Sequence, residues 1–198
     1  MSRDVVILGG CGANLASLGF ALERLGVSAP VTEDPERAAR ATHVILPGVG
    51  SAGAAMRRLR ETGIAELVPR LRQPVIGICL GMQLLFESSD EEDVACLGCI
   101  PGRVQRLPER PDLTVPQMGW NALEVTAPSP LLEGIESGDY AYFVHSYAVP
   151  VGPYTRAVAD YGGPFSAVVE HGNFYGTQFH PERSSRLGAR VLENFLKL

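Results

Sequence analysis

Three short apolar runs constrain this chain more than any other feature: Val5-Val6-Ile7-Leu8, Val44-Ile45-Leu46 after His43, and Val75-Ile76 after Pro74, leading into Gly77-Ile78. A strand with one wet face alternates apolar and polar residues, so unbroken runs of this length belong to strands buried on both faces. Helical periodicity fills the gaps. Residues 15–25 form an amphipathic stretch that Asn14 is placed to cap, residues 34–40, 51–60 and 64–72 read as helices, and a short strand falls near residues 30–32. Such alternation gives right-handed crossovers, and therefore an α/β fold with a parallel sheet covered by helices on both faces. Ligands of these sheets bind beyond the carboxyl ends of the strands. The loop Pro47-Gly48-Val49-Gly50 and the residues after Ile78 both fall at that edge.

From about residue 97 the character changes to extended segments and turns, at residues 100–107, 120–125, 140–150, 156–161, 166–170 and 174–179. Gly172-Asn173 marks a tight hairpin, and a helix over 187–196 closes the chain. The first half is thus parallel and the second mostly antiparallel. Residues 108–116 read as a surface loop within one domain, and 198 residues suffice to bury about 70% of the unfolded surface without staples.

The four cysteines, at 11, 79, 96 and 99, lack the density of a secreted disulfide scaffold, and Met1-Ser2-Arg3-Asp4 lead into a strand and not a signal peptide. A reducing cytoplasm is the expected compartment. The apolar runs are far too short to span a membrane, and a net charge of -5 argues against nucleic acid as the main partner. Cys96-Leu97-Gly98-Cys99 has no second Cys or His pair at zinc spacing, and Gly9-Gly10-Cys11-Gly12 misses the dinucleotide fingerprint, so neither a metal nor a cofactor is expected.

A cysteine at the end of a buried strand is ordinarily a small hydrophobe. In Gly77-Ile78-Cys79-Leu80-Gly81, however, glycines flank it and the helix-forming Met82-Gln83-Leu84-Leu85-Phe86 follows. That is the pattern of a nucleophile elbow: a sharp strand-to-helix turn lifts the side chain out of the sheet and aims the helix's free N–H groups at it. The positive helix end also favours thiolate. A proton-transfer partner stands about a hundred residues later in His180-Pro181-Glu182. Proline is expected to hold that segment extended, with both flanking side chains on one side. A carboxylate beside the imidazole fixes its tautomer and stabilises the imidazolium, completing a Cys-His-acid triad.

The residues 77–83 with His180-Pro181-Glu182 resemble the triad-type, class I glutamine amidotransferases, which release ammonia from the glutamine side chain. Leu46-Pro47-Gly48-Val49-Gly50, Met118-Gly119-Trp120-Asn121, Tyr142-Phe143-Val144-His145-Ser146-Tyr147 and Asn173-Phe174-Tyr175-Gly176-Thr177-Gln178-Phe179 resemble, more narrowly, the glutaminase subunits of imidazole glycerol phosphate synthases, which serve histidine biosynthesis. The likeness runs from the first strand to the final helix. It implies a flavodoxin-like doubly wound α/β fold, mostly parallel with helices on both faces, plus antiparallel strands in the C-terminal half, in one domain over residues 1–198.

Carried over where the motifs match, the resemblance implies that Cys79 attacks the glutamine amide while His180, oriented by Glu182, moves the protons. It assigns the oxyanion donors to the N–H of Leu80 and to one from Val49 or Gly50. Glutamine binding falls to the segments holding Gly48, Gln83, His145, Ser146 and Tyr147. Asn14, Met118, Trp120, Asn121 and Arg183 are expected on the face toward a partner, a separate (β/α)8-barrel cyclase subunit. Chemistry asks for such a partner too. Ammonia in bulk water is mostly ammonium, which has no lone pair for attack, and these residues include nothing that looks like an acceptor-substrate domain. Glycines at 48 and 50 permit a peptide flip, so the second oxyanion donor is expected to be misaligned until the partner binds its own substrate.

Some readings stay open. His145 is either a ligand or a satisfied core histidine, Tyr142 and Tyr147 can simply alternate across a strand, and Trp120 is either core or interface. In the first loop, Gly9-Gly10-Cys11-Gly12-Ala13-Asn14, only Asn14 matches the family pattern, so no role carries to residues 9–13. Amidotransferases of anthranilate, guanylate or carbamoyl phosphate synthesis commonly carry histidine where Met82 stands. A catalytically idle regulatory module on the same fold is the alternative of another class, and three filled triad positions argue against it.

Overall fold

The computed structural model describes residues 3–10, 15–111 and 113–198. Asn14 and Cys11 lie outside the described residues. The first half contains strands β1 (Val5–Leu8), β2 (Val31–Thr32), β3 (His43–Leu46) and β4 (Val75–Ile78). Helices α1 (Leu15–Arg24), α2 (Pro35–Arg40), α3 (Ala52–Glu61), α4 (Ile64–Leu67) and α5 (Leu80–Leu84) run between and after them. Asp34 caps α2 by accepting the Glu36 N–H at 2.9 Å. The helix anticipated over 64–72 stops at Leu67 and continues as a 3-10 turn, Val68–Arg70, because Pro69 has no N–H to give an α-helical ladder.

The second half adds β5 (Phe86–Ser89), β6 (Val94–Ala95), β7 (Ile100–Arg106), β8 (Gln117–Ala122), β9 (Glu124–Val125), β10 (Tyr140–His145), β11 (Tyr147–Ala148), β12 (Thr155–Asp160), β13 (Pro164–His171), β14 (Phe174–Thr177) and helix α6 (Ser185–Phe195). The main sheet runs in the order β2-β1-β3-β4-β14-β13-β12-β9. Its pairings from β2 to β14 are parallel, and β13, β12 and β9 complete it antiparallel. This is the doubly wound, mostly parallel sheet expected. The strand anticipated over 140–150 is in fact two: β10 pairs with β8, and after Ser146 the chain crosses to pair β11 with β7. Residues 86–89 and 94–95, not anticipated as strands, join β7 in a smaller sheet.

The unbroken apolar runs are explained by the two sides of the main sheet. Val5, Ile7, Ile45, Ile76 and Ile78 pack with Leu18 and Leu22 of α1 and with Val191, Leu192 and Phe195 of α6. Val6, Leu8, Val44, Leu46 and Val75 pack on the other face with Met56 and Leu59 of α3, Ile64 of α4 and Leu84 of α5. Successive side chains alternate, yet each meets a helix layer, so the runs stay apolar on both faces. Among the described residues no helix is long and apolar enough to cross a membrane.

Candidate active site

Cys79 follows β4 at the carboxyl edge of the sheet, in a sharp turn with φ 54 and ψ -112. Few non-glycine residues tolerate positive φ, and the surrounding bonds hold it there. Its N–H donates to the Thr177 carbonyl of the neighbouring strand at 2.8 Å, and its carbonyl accepts from the Gln83 N–H at 3.2 Å. The flanking glycines are required by close approach. A Cβ on Gly77 would stand 2.6 Å from the Gly81 carbonyl and the Met82 backbone, and one on Gly81 would run into the Leu46 carbonyl. The helix that follows is shorter than expected: α5 spans five residues, because Phe86 is drawn into β5. It therefore offers little macrodipole. What it offers is local, the N–H of Leu80 at the first helical position, which has no intrahelical acceptor.

His180 and Glu182 are brought to Cys79 by the turn after β14. Its geometry corrects the expectation from the sequence: residues 181–183 form a 3-10 turn instead of an extended segment. Proline's fixed φ suits the first position of a helical turn as well as an extended chain, and the turn wins here. The pair still meets, with His180 Nδ1 2.8 Å from Glu182 Oε1 and both side chains 8% exposed. The His180 N–H donates to the Tyr142 carbonyl at 3.0 Å, and the Ser184 hydroxyl donates to the His180 carbonyl at 2.7 Å while accepting the Tyr142 N–H. These bonds clamp the turn to β10. His180 Nε2 is buried without a conventional hydrogen bond. Burial by itself pushes the imidazole down, but the Cys79 sulfur and the Glu182 carboxylate outweigh it and raise the ring to about 10.

Cys79 and His180 line a cleft of about 310 Å³ together with Val49, Gly50, Leu80, Gln83 and Ser146. Gly48 is missing from that wall: a Cβ there would stand 2.8 Å from the Gly81 nitrogen, so its glycine is needed for contact with the elbow. Gly50, at φ +96, is the one of the two loop glycines in left-handed conformation. Gly48 and Val49 border a second, smaller cavity of about 130 Å³ that also touches His180, with Ile78, Glu182 and Arg183.

The polar residues assigned to the cleft divide. His145 is satisfied within the protein, Nδ1 2.8 Å from the Tyr147 carbonyl and Nε2 2.9 Å from the Gln117 side-chain amide. Burial pushes it down to about 4, so it is neutral and acts as a strut. Gln83 spends both amide protons, on the Tyr147 carbonyl at 2.8 Å and on Gln178 Oε1 at 2.9 Å. Ser146 and Tyr147 reach the cleft wall directly. Glu91, also in that wall, was not picked out in the sequence, where it sits in an acidic run that looks like solvated loop. Its carboxylate accepts the Ala52 N–H at 2.7 Å, and burial raises its affinity for a proton. Gln178 was likewise unassigned. A glutamine between Thr177 and Phe179 in a buried strand was its available signal.

On the outer face Met118, Trp120 and Tyr140 are 67%, 53% and 59% exposed. Arg183 stacks its guanidinium 4.3 Å from the centre of the Tyr142 ring. Asn121 donates to the Asp160 carbonyl at 2.8 Å and accepts the Ala122 N–H. Among the described residues no group of three or more His, Cys, Asp or Glu is arranged to hold a metal.

The family model for glutamine amidotransferase class-I matches residues 12–198. The chain is 51% identical to the imidazole glycerol phosphate synthase subunit HisH of Vibrio cholerae, over 100% of both chains. It is 53% identical to the protein of the same name in Xylella fastidiosa, over 98% of both. Among solved structures it is similar to a putative GMP synthase subunit from Thermoplasma acidophilum, with a TM-score of 0.77 at 17% identity over 100% of this chain and 94% of that one. A second, a glutamine amidotransferase, matches with a TM-score of 0.75 at 24% identity over 98% and 97%.

Proposed function

This chain belongs to the class I glutamine amidotransferases, in the branch of the HisH subunits, and we propose from that premise that it cuts the glutamine amide through a thioester on Cys79 and hands the ammonia to a (β/α)8-barrel cyclase. The observation that carries the reading is the elbow cysteine beside an imidazole raised to about 10 and tied to Glu182 at 2.8 Å.

Cys79 Sγ attacks the amide carbon, and the developing oxyanion is met by the Leu80 N–H and by an N–H of the Val49-Gly50 loop. The C–N bond breaks as the His180 imidazolium gives its proton to the leaving nitrogen, which departs as ammonia. With the sulfur acylated, the negative charge that raised His180 is gone, and the ring falls back toward the range where it can act as a base. It then takes a proton from water, the hydroxide adds to the thioester carbon, and Cys79 leaves as thiolate with glutamate released. Glu91 is the carboxylate suited to the substrate ammonium, and Gln83, with both N–H groups spent, has its Oε1 left as acceptor.

Ammonia released on the cleft side would protonate in water. The smaller cavity that also touches His180, bordered by Gly48, Val49 and Arg183, offers a shielded way out. A cytoplasmic setting suits the free thiols at 79, 96 and 99.

The test is glutamate release by this chain alone, with the barrel subunit, and with the barrel subunit plus its phosphoribosyl-linked substrate. The expected result is a large rise only in the last mixture. Equal activity of the isolated chain contradicts gating by the partner, and no release in any mixture contradicts the glutaminase reading.

A further inference from the structure

Gln178 follows β14, is 0% exposed, and stands between Cys79 and Gln83. Its Nε2 lies 3.8 Å from Cys79 Sγ, and its Oε1 lies 2.9 Å from Gln83 Nε2. Which end of this amide faces the sulfur follows from a chain of obligatory partners. The Tyr147 carbonyl can only accept, so the Gln83 group 2.8 Å from it is the NH₂. The same nitrogen reaches Gln178, so the end of Gln178 that it meets is the oxygen. The Gln178 NH₂ is thereby turned to Cys79 and cannot flip without breaking a buried bond.

The sulfur also faces the Val144 carbonyl, at 3.7 Å. A carbonyl accepts from a thiol and repels a thiolate, whereas an amide NH₂ favours the thiolate. The two neighbours act on the sulfur in opposite directions, and the His180 ring, backed by Glu182, is the titratable group that faces it. We infer that Gln178, outside the triad, is a positioning residue: a fixed hydrogen-bond donor to the Cys79 sulfur that aims it and offsets the Val144 carbonyl, its orientation locked through Gln83 by the Tyr147 carbonyl. The inference rests on the reading of Cys79 as the nucleophile.

The experiment measures alkylation of Cys79 by iodoacetamide against pH in the full chain, read by peptide mass, with glutamate release by the assembled complex in parallel. Gln178→Met keeps the length and removes the donor; Gln178→Glu keeps the shape and puts an acceptor against the sulfur. Alkylation at pH 7 is expected to fall about tenfold in the first and further in the second, with the midpoint moved to higher pH and the alkaline plateau unchanged. A residue that merely packs would alter stability and leave the midpoint in place. Should either variant fail to fold, the wild-type protein still decides: the side-chain amide resonances of Gln178 should titrate with the alkylation midpoint. An unmoved midpoint in folded variants, or amide resonances blind to Cys79, overturns the inference while glutamate release continues. Absent glutamate release by the wild-type complex, with the midpoint still shifted in the variants, instead overturns the glutaminase reading alone.

Discussion

His180 Nδ1 and Glu182 Oε1 stand 2.8 Å apart across Pro181, in a 3-10 turn whose two ends are clamped to β10 through Tyr142 and Ser184. The carboxylate therefore fixes which ring nitrogen carries the permanent proton, leaving Nε2 for the chemistry beside Cys79. If the ring is raised by the sulfur as well as by the carboxylate, removing either must lower it. In Cys79→Ala the His180 ring titration, followed by NMR, should move down from about 10, and in Glu182→Gln it should also fall. A ring that titrates unchanged in both variants contradicts this electrostatic account.

His145 gives a stability prediction with the opposite sign. Its folded value, about 4, lies below the ordinary 6.5, so the unfolded chain binds the extra proton. Its contribution is present above pH 6.5 and is lost as pH falls toward 4. Acidification from pH 6.5 to 5 should cost about 2 kcal/mol through this residue. Urea unfolding of His145→Gln should show that slope removed; an identical slope would mean that the ring is not the buried neutral strut described.

One substitution, glycine to alanine, should act in opposite directions at two helical sites. A Cβ on Gly188 of α6 would collide with the Pro181 carbonyl, displacing the turn that carries His180, whereas a Cβ on Gly19 of α1 meets nothing within 4 Å. Gly188→Ala should lose about 1–3 kcal/mol and most glutaminase activity, by the cost of overpacking. Gly19→Ala should gain about 0.5–1 kcal/mol from helix propensity. Denaturant midpoints of the two variants check both, and a neutral Gly188→Ala would contradict the packing of α6 beneath the triad.

The parallel half was legible because its determinants are local. Each apolar run had to be a strand covered twice, and helical spacing over residues 34–40 marked α2. What escaped the sequence depends on distant partners. The strand at 86–89 exists because β7 pairs with it, and the split at Ser146 exists because β8 and β7 lie in different sheets. In the site, Cys79 and His180-Pro181-Glu182 could be read because glycine, proline and nucleophile have fixed offsets. Glu91 and Gln178 could not, since their environment is made by segments far away in the chain. His145 could be read either way from the sequence; the fold ties its ring, in the cleft wall, to Tyr147 and Gln117.

Trp120 is the only tryptophan and is 53% exposed beside Met118. If this face meets the barrel subunit, mixing the two proteins should shift its emission to shorter wavelength as water is excluded. Unchanged emission on a complex shown to form by sedimentation would place the interface elsewhere.

The most direct measurement of the central claim is rapid-quench mass spectrometry of the complex turning over glutamine. The account predicts a glutamyl group on the peptide containing Cys79, formed and lost within turnover, and neither adduct nor glutamate in Cys79→Ala. A glutamyl adduct on another residue, or glutamate released by the Cys79→Ala complex, would contradict it.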